Sequence, residues 1–370
     1  MSLKEVFCQD RGISILQRAF AADKCAHAYI FAGPEGVGKF RTAREWAKML
    51  LCKGRVIEDG FTDSCGSCES CRLFEAGSHP DFHHVYKELL EFTKDGKGKT
   101  TPVELPIDVI REFLIDKASN RPILSRRRVF VVSEAEKSND SSQNALLKVL
   151  EEPAEYCCII LLCTRLEELL ATTKSRCQIV RFGPVAEERI VERLTEMGVA
   201  GVQARYFARL AQGSLGQACQ WAWLELAGAD VYATKRKLLV SLSSCEYAEA
   251  LNLAEWVLGE SKRIAGKWVE LDKATSKADI NRRTQKTLVQ IIISALHDAM
   301  SLRLGQTGEI ANFEQTEQIE RLTGRFGAEQ SAEEIAHCYR ALRQIESNVN
   351  ERLVFEQLLL ETAVSDIIKI

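Results

Sequence analysis

A glycine-rich stretch, Gly33-Pro34-Glu35-Gly36-Val37-Gly38-Lys39, lies between an apolar run, Ala28-Tyr29-Ile30-Phe31-Ala32, and an amphipathic one over residues 40–51. Glycines let successive backbone N–H groups turn inward onto phosphate oxygens, and the lysine adds a charge for the outer phosphates. A strand before such a loop and a helix after it are the context the pattern requires. The chain is therefore expected to open with an α/β domain on a mainly parallel, buried sheet. Apolar runs at 128–132 (RVFVV), 158–163 (CIILLC) and 179–182 read as further strands, and NALLKVLEE (144–152) has helical spacing and stops at Pro153.

The character changes after Pro184, the last proline. Residues 186–227 read as helical with a break at Gly213-Ser214-Leu215-Gly216, and from about Asp230 onward the pattern is one of long amphipathic helices. Three domains are expected, at 1–184, 185–228 and 229–370. Residues 92–101 (FTKDGKGKTT) read as a mobile loop. The five tryptophans, Trp46, Trp221, Trp223, Trp256 and Trp268, are assigned to helical cores rather than to base stacking.

With 370 residues, 46% hydrophobic and 27% charged, the chain reads as globular and too long for one ordinary core. A net charge of -3 excludes a polycation, so any nucleic-acid contact must come from a local patch or from partners. The run Arg126-Arg127-Arg128 is read as a solvated face rather than as a phosphate contact. No apolar run is long enough for a bilayer span, and MSLKEVFCQDRG lacks the apolar centre of a signal peptide, so the expectation is cytoplasmic with no membrane.

The phosphate loop lacks its metal chemistry. A hydrolysing loop needs a Ser or Thr hydroxyl for Mg²⁺ directly after the lysine, where this chain has Phe40. A second Mg²⁺ position belongs to an Asp at a strand end, and here the strand runs into Ser133-Glu134. Glu134 stands where a water-activating carboxylate would stand; it reads as a relic or as a helix cap. Without the metal, a β/γ-phosphate transition state loses its main electrostatic stabiliser. Hydrolysis is not expected and ATP/Mg²⁺ is doubtful, which leaves weak or metal-free nucleotide binding through Lys39 and the loop backbone at Gly33, Gly36 and Gly38 as an open alternative.

Thirteen cysteines in a chain expected in a reducing compartment point to metal sites where they cluster and to small core residues where they stand alone. Cys65, Cys68 and Cys71 are spaced by two residues, with Cys52 upstream. Four thiolates suit a closed, tetrahedral, structural Zn²⁺ site. An iron–sulfur cluster, a redox pair and unliganded thiols are the rivals. No Cys followed by Pro completes a ferredoxin motif, and three clustered cysteines are one too many for a redox pair. His79, His83 and His84 are secondary ligand candidates behind Cys52.

Several motifs now converge. Gln9, His27-Ala28-Tyr29, GPEGVGK, the four cysteines, His79-Pro80-Asp81, SEAEKSNDSSQNALLKVLEEP (133–153) and KSRCQIVRF (174–182) resemble the ATPase-type subunits of bacterial DNA polymerase III clamp loaders. The resemblance is dense over residues 9–182. It continues weakly through GSLGQA (213–218) and returns at Asn348-Val349-Asn350. It implies an α/β P-loop (AAA+-type) domain with a zinc-binding insertion at about 52–71, then a small helical lid and an all-α collar for oligomerisation. In this family the hydrolysing gamma/tau subunits keep the loop Thr, the strand-end Asp and a lid Arg. Here those positions are Phe40, Ser133 and Gln217, which points to the delta-prime branch.

The resemblance also implies that Arg176, in Ser175-Arg176-Cys177, acts in trans as a finger on a neighbour's ATP. From the tripeptide alone, an ordinary salt-bridged arginine is the simpler reading. The implied partners are gamma/tau and delta subunits, with the sliding clamp and primer-template DNA met through the complex, and the chain would be an accessory polymerase subunit. Two alternatives remain. One is an ATP-hydrolysing gamma/tau-type motor using Lys39 and Glu134; the other is a zinc-containing DNA-binding or regulatory adaptor outside the loader.

Overall fold

A computed structural model describes residues 2–94, 102, 104–273, 275–306, 310–347 and 349–364. The chain divides into two compact units, Met1–Val185 with Ser214–Gly216, and Ala186–Gly213 with Gln217–Ile370.

The first unit is built on a five-stranded sheet of β1 (Ala28–Ala32), β4 (Phe82–Val85), β5 (Arg128–Val132), β6 (Cys157–Cys163) and β7 (Gln178–Arg181). The order is β4-β5-β6-β1-β7 and every pairing is parallel. Strand β1 is central: Phe31 pairs with Leu162 on one side and with Val180 on the other. Because side chains alternate along a strand, β1 serves two cores. Tyr29 and Phe31 join Val129, Val131, Ile160 and Trp46 on one face, and Ala28, Ile30 and Ala32 join Phe130, Ile159, Leu161 and Leu146 on the other. The first core is covered by α1 (Asp10–Ala21) and α2 (Lys39–Leu51), and α6 (Asp140–Glu151) packs on the second. Shorter elements complete the unit: α3 (Glu69–Glu75), α4 (Ile107–Ile110), α5 (Asp116–Ala118) and α7 (Ala171–Ser175). Cys157, Cys158 and Cys163 are fully buried strand residues, and burial pushes the Cys157 and Cys163 thiols up to about 12.

Two features go beyond the sequence reading. Strand β4 contains His83-His84 at the sheet edge and lacks the apolar run that marks the other strands. Strands β2 (Val56–Glu58) and β3 (Phe61–Asp63) form a hairpin turned by Asp59 and Gly60, whose φ angles are 51° and 75°. Both turn residues are left-handed, as a two-residue turn between twisted strands requires. Of the loop read at 92–101, Phe92 closes a 3-10 turn that begins at Lys87, and residues 95–101 lie outside the described residues.

The second unit is helical: α8 (Glu187–Glu196), α9 (Gly201–Leu210), most of α10 (Leu215–Leu226), then α11 (Val231–Ser244), α12 (Ala250–Leu271), α13 (Lys277–Arg303), α14 (Thr316–Arg325), α15 (Ala328–Glu346) and α16 (Glu351–Val364). Tyr206, Phe207, Trp221 and Tyr232 form an aromatic core. Trp46, Trp221 and Trp268 are buried, but Trp223 is exposed, because it sits on the outer face of α10. Among the described residues no helix is long and apolar enough to cross a membrane.

Candidate functional site

The phosphate loop follows β1 and ends in the N-terminus of α2. Gly33 has no room for a side chain, since a Cβ there would stand 2.3 Å from the Phe182 carbonyl oxygen. Gly38 precedes the helix at φ 105°, a conformation that favours glycine. Gln9 braces the loop, its Nε2 donating to the carbonyls of Val37 (2.9 Å) and Gly183 (3.1 Å). Lys39 is turned back on the loop: its Nζ donates to the carbonyls of Gly33 and Pro34, both at 2.6 Å. Burial holds its pKa below the ordinary lysine value. Ser214–Gly216 groups with this unit, and the Gly216 N–H donates to the Gly36 carbonyl at 2.7 Å. The carbonyls of Gly33, Pro34, Gly36 and Val37 and the Lys39 amine are thus paired within the chain.

The two positions without Mg²⁺ ligands are bridged by a third residue. The Phe40 ring lies 4.7 Å from the His84 ring, and His84 Nε2 is 2.8 Å from Ser133 Oγ. Burial pushes His84 down to about 4, so the imidazole is neutral at pH 7. A phenyl ring, a neutral imidazole and a hydroxyl stand together, and none of them carries a negative charge for a divalent cation. Beside them Glu134 is left-handed (φ 52°) and makes no side-chain cap to the turn it precedes, so the helix-cap reading is corrected. Its carboxylate pairs with Lys137 and with Lys87 at 3.3 Å. Burial opposes ionisation there, but Lys137 and Lys87 hold the group below its usual range. Each oxygen is committed to a cation, which leaves Glu134 poorly placed to serve as a base.

The cysteine cluster is assembled from three elements. Cys52 caps the end of α2, Cys65 follows the hairpin, and Cys68 begins α3, on whose first turn Cys71 lies. The four sulfurs lie within 4.8 Å of one another, with Cys52 Sγ 3.6 Å from Cys65 Sγ and 3.8 Å from Cys68 Sγ. Disulfide sulfurs would be about 2.05 Å apart. A single tetrahedral ion with metal–sulfur bonds of about 2.3 Å separates its ligands by about 3.8 Å. The spacing therefore fits one four-coordinate ion, and the group could hold a metal. Backbone N–H groups of Cys65, Cys68 and Cys71 donate to the sulfurs of Cys52, Cys65 and Cys68 at 3.3, 3.3 and 3.5 Å. Burial opposes a Cys65 thiolate, but N–H groups of Ser67 and Cys68 bring it down to about 6; Cys68 is lowered too, while burial raises Cys52 and Cys71.

The three histidines are engaged elsewhere. His79 Nε2 meets Ser70 Oγ (2.9 Å) and its Nδ1 accepts from the Asp81 N–H (3.1 Å). His83 stacks on Phe130 and His84 belongs to the phosphate-loop site.

Arg176 stands between α7 and β7, partly exposed. Its guanidinium pairs with Glu151 at 2.8 Å and donates to the Thr172 carbonyl at 3.0 Å. The salt bridge that the tripeptide alone suggested is present.

A family model described as "DNA polymerase III, delta subunit" matches residues 8–186, and one described as "DNA polymerase III, delta subunit, C terminal" matches 272–363. The chain belongs to the DNA polymerase III delta-prime family. It is 25% identical to the DNA polymerase III subunit delta' of Bacillus subtilis over 95% of each chain. It is 36% identical to the Pseudomonas aeruginosa delta' subunit, in a match spanning 41% of this chain and 42% of that one. A crystal structure of a DNA polymerase III gamma subunit-related protein from Thermotoga maritima shares the fold, with a TM-score of 0.50 at 17% identity, covering 96% of this chain and 99% of that one. The first family match takes in the phosphate loop, the four cysteines and Arg176; the second lies wholly in the helical unit.

Proposed function

We propose that this delta-prime family chain is a stator of the bacterial clamp loader: it hydrolyses no ATP and presents Arg176 to the ATP site of a neighbouring gamma/tau subunit. The observation that carries the reading is the Phe40–His84–Ser133 bridge, which occupies both positions where a hydrolysing site would hold Mg²⁺. The motor alternative would need Glu134 as a free base, and its two lysine partners count against that. The reading takes residues 185–228 as the lid and 229–370 as the collar that joins the gamma/tau and delta subunits. Clamp and primer-template DNA are reached through that complex. Gly33, Gly36, Gly38 and Lys39 would be a scaffold kept for shape rather than for turnover.

The metal that Cys52, Cys65, Cys68 and Cys71 would hold is Zn²⁺, which favours four thiolates in a closed tetrahedral site. An Fe₄S₄ cubane places each thiolate on a different iron and so spreads the sulfurs further than the 3.6–3.8 Å found here. Bound there, the ion would pin the hairpin and α3 to the end of α2.

For Arg176, the Glu151 pair is the resting partner. Half-exposed ion pairs contribute about 0–1 kcal/mol, so exchanging the carboxylate for a neighbour's γ-phosphate costs little. The test is the reconstituted complex with Arg176→Ala. Assembly should be intact, and DNA-stimulated ATPase should fall, with the one dependent site losing about 10³-fold or more. Arg176→Lys should not rescue it, because an ammonium lacks the planar fork. Unchanged ATPase in the alanine complex would reject the proposal.

A further inference from the structure

The run Arg126-Arg127-Arg128 divides in the fold. Arg128 is buried and donates to the carbonyls of Lys117 (2.9 Å) and Arg121 (3.1 Å), with Asp81 at 3.5 Å. Arg126 is exposed and Arg127 half-buried, and among the described residues neither pairs with a carboxylate. Four exposed arginines elsewhere in the chain do find one: Arg189 with Glu192, Arg193 with Glu196, Arg321 with Glu317 and Arg352 with Glu356.

A third guanidinium is brought to the same place by the end of α2. Arg55 Nε donates to the Met49 carbonyl (2.9 Å) and Nη2 to the Leu50 carbonyl (2.7 Å), while Ser125 Oγ donates to the next carbonyl, Leu51 (2.8 Å). Consecutive carbonyls of one helix end therefore hold Arg55 beside the residue that leads into Arg126 and Arg127. The Arg55 guanidinium is held below its ordinary range, by burial first and also by the charges of Arg127 and Arg126, with Cys52 opposing. The segment that carries the pair is rigid, because the buried Asp81 carboxylate accepts from the N–H groups of Ile123 (2.6 Å), Leu124 (2.8 Å) and Ser125 (2.8 Å).

We infer that Arg126 and Arg127, backed by Arg55, form a site for the phosphodiester backbone of a nucleic-acid strand. A lone carboxylate would neutralise one guanidinium. A phosphate backbone offers a charge at every unit, and arginine forks pair with phosphate oxygens bidentately. The pre-set loop lowers the ordering cost of binding. Neither the phosphate loop nor Arg176 takes part, so this site and the stator reading stand or fall separately.

The full chain is titrated with a labelled single-stranded oligonucleotide and with the matching duplex, each over a series of salt concentrations. Arg126→Gln/Arg127→Gln is compared with the control Arg189→Gln/Arg193→Gln. Loss of two phosphate contacts should make the slope of log K against log salt shallower by about 1.4 on single strands or about 1.8 on duplex. On single strands that is about 25-fold weaker binding at about 0.1 M salt. The ligand that shows the change identifies the source of the backbone, and the control should behave as the wild type. The inference is overturned if the wild type binds neither DNA at low salt, or if the Arg126/Arg127 variant keeps wild-type affinity and slope. Equal losses in both variants would also overturn it.

Discussion

Asp81 shows how much one residue can organise. It is fully buried, yet three backbone N–H groups and the Arg128 guanidinium surround its carboxylate. Burial alone would push the group up, but those N–H groups and Arg128 hold it below the usual carboxylate range. A folded pKa below the unfolded value of about 3.9 gives stability that is present above that pH and is lost as pH falls through the folded pKa. Asp81→Asn keeps one acceptor oxygen but leaves Arg128 buried without its counter-charge, a loss of about 3–5 kcal/mol. Denaturant unfolding at neutral pH should show that loss, and the variant's stability should fall less than the wild type's below about pH 4. An unchanged midpoint would mean that the N–H groups, not the charge, carry the site. His79-Pro80-Asp81 stood out in the sequence as part of a resemblance, but its role was not legible there. Its partners lie more than forty positions downstream, and only the fold brings them together.

At the scale of elements, the cysteine segment joins α2, the β2–β3 hairpin and α3 around four sulfurs. The spacing of the cysteines announced the cluster, and Asp59-Gly60 is the signal that would have announced the hairpin. Strand β4 carried no such signal, because its two histidines meet Phe130 and Ser133 in three dimensions rather than forming an apolar run. Cys68 would have two duties: its sulfur accepts the Cys71 N–H as the cap of α3, and it is one of the four sulfurs that could hold a metal. Cys68→Ser should therefore release the metal and open the segment around 52–71 to protease, while the two sheet cores, which contain none of the four, stay folded. Metal content and limited proteolysis read the two effects. A variant that keeps a full equivalent of metal would show that the four sulfurs are not the ligands.

For the whole molecule, the division between sheet and helices was legible from where proline stops and apolar periodicity lengthens, and so were Phe40 and Ser133 at the two positions on which the proposed lack of turnover rests. What could not be read was that His84, from a strand the sequence did not mark, closes the gap between them. If the chain works by assembly rather than by turnover, nucleotide binding to the whole protein should be indifferent to Mg²⁺. An equilibrium titration with a fluorescent ATP analogue, with and without the metal, should give one curve or no binding. Restoring a hydroxyl and a carboxylate with Phe40→Thr/Ser133→Asp replaces both of His84's partners there and supplies the oxygen ligands a hard cation needs. The variant should then bind more tightly with Mg²⁺ than without it, by about tenfold or more, which is about 1.4 kcal/mol. Tight Mg²⁺-dependent binding by the wild type would mean that other groups replace the lost ligands, and the protein would have to be read as a motor.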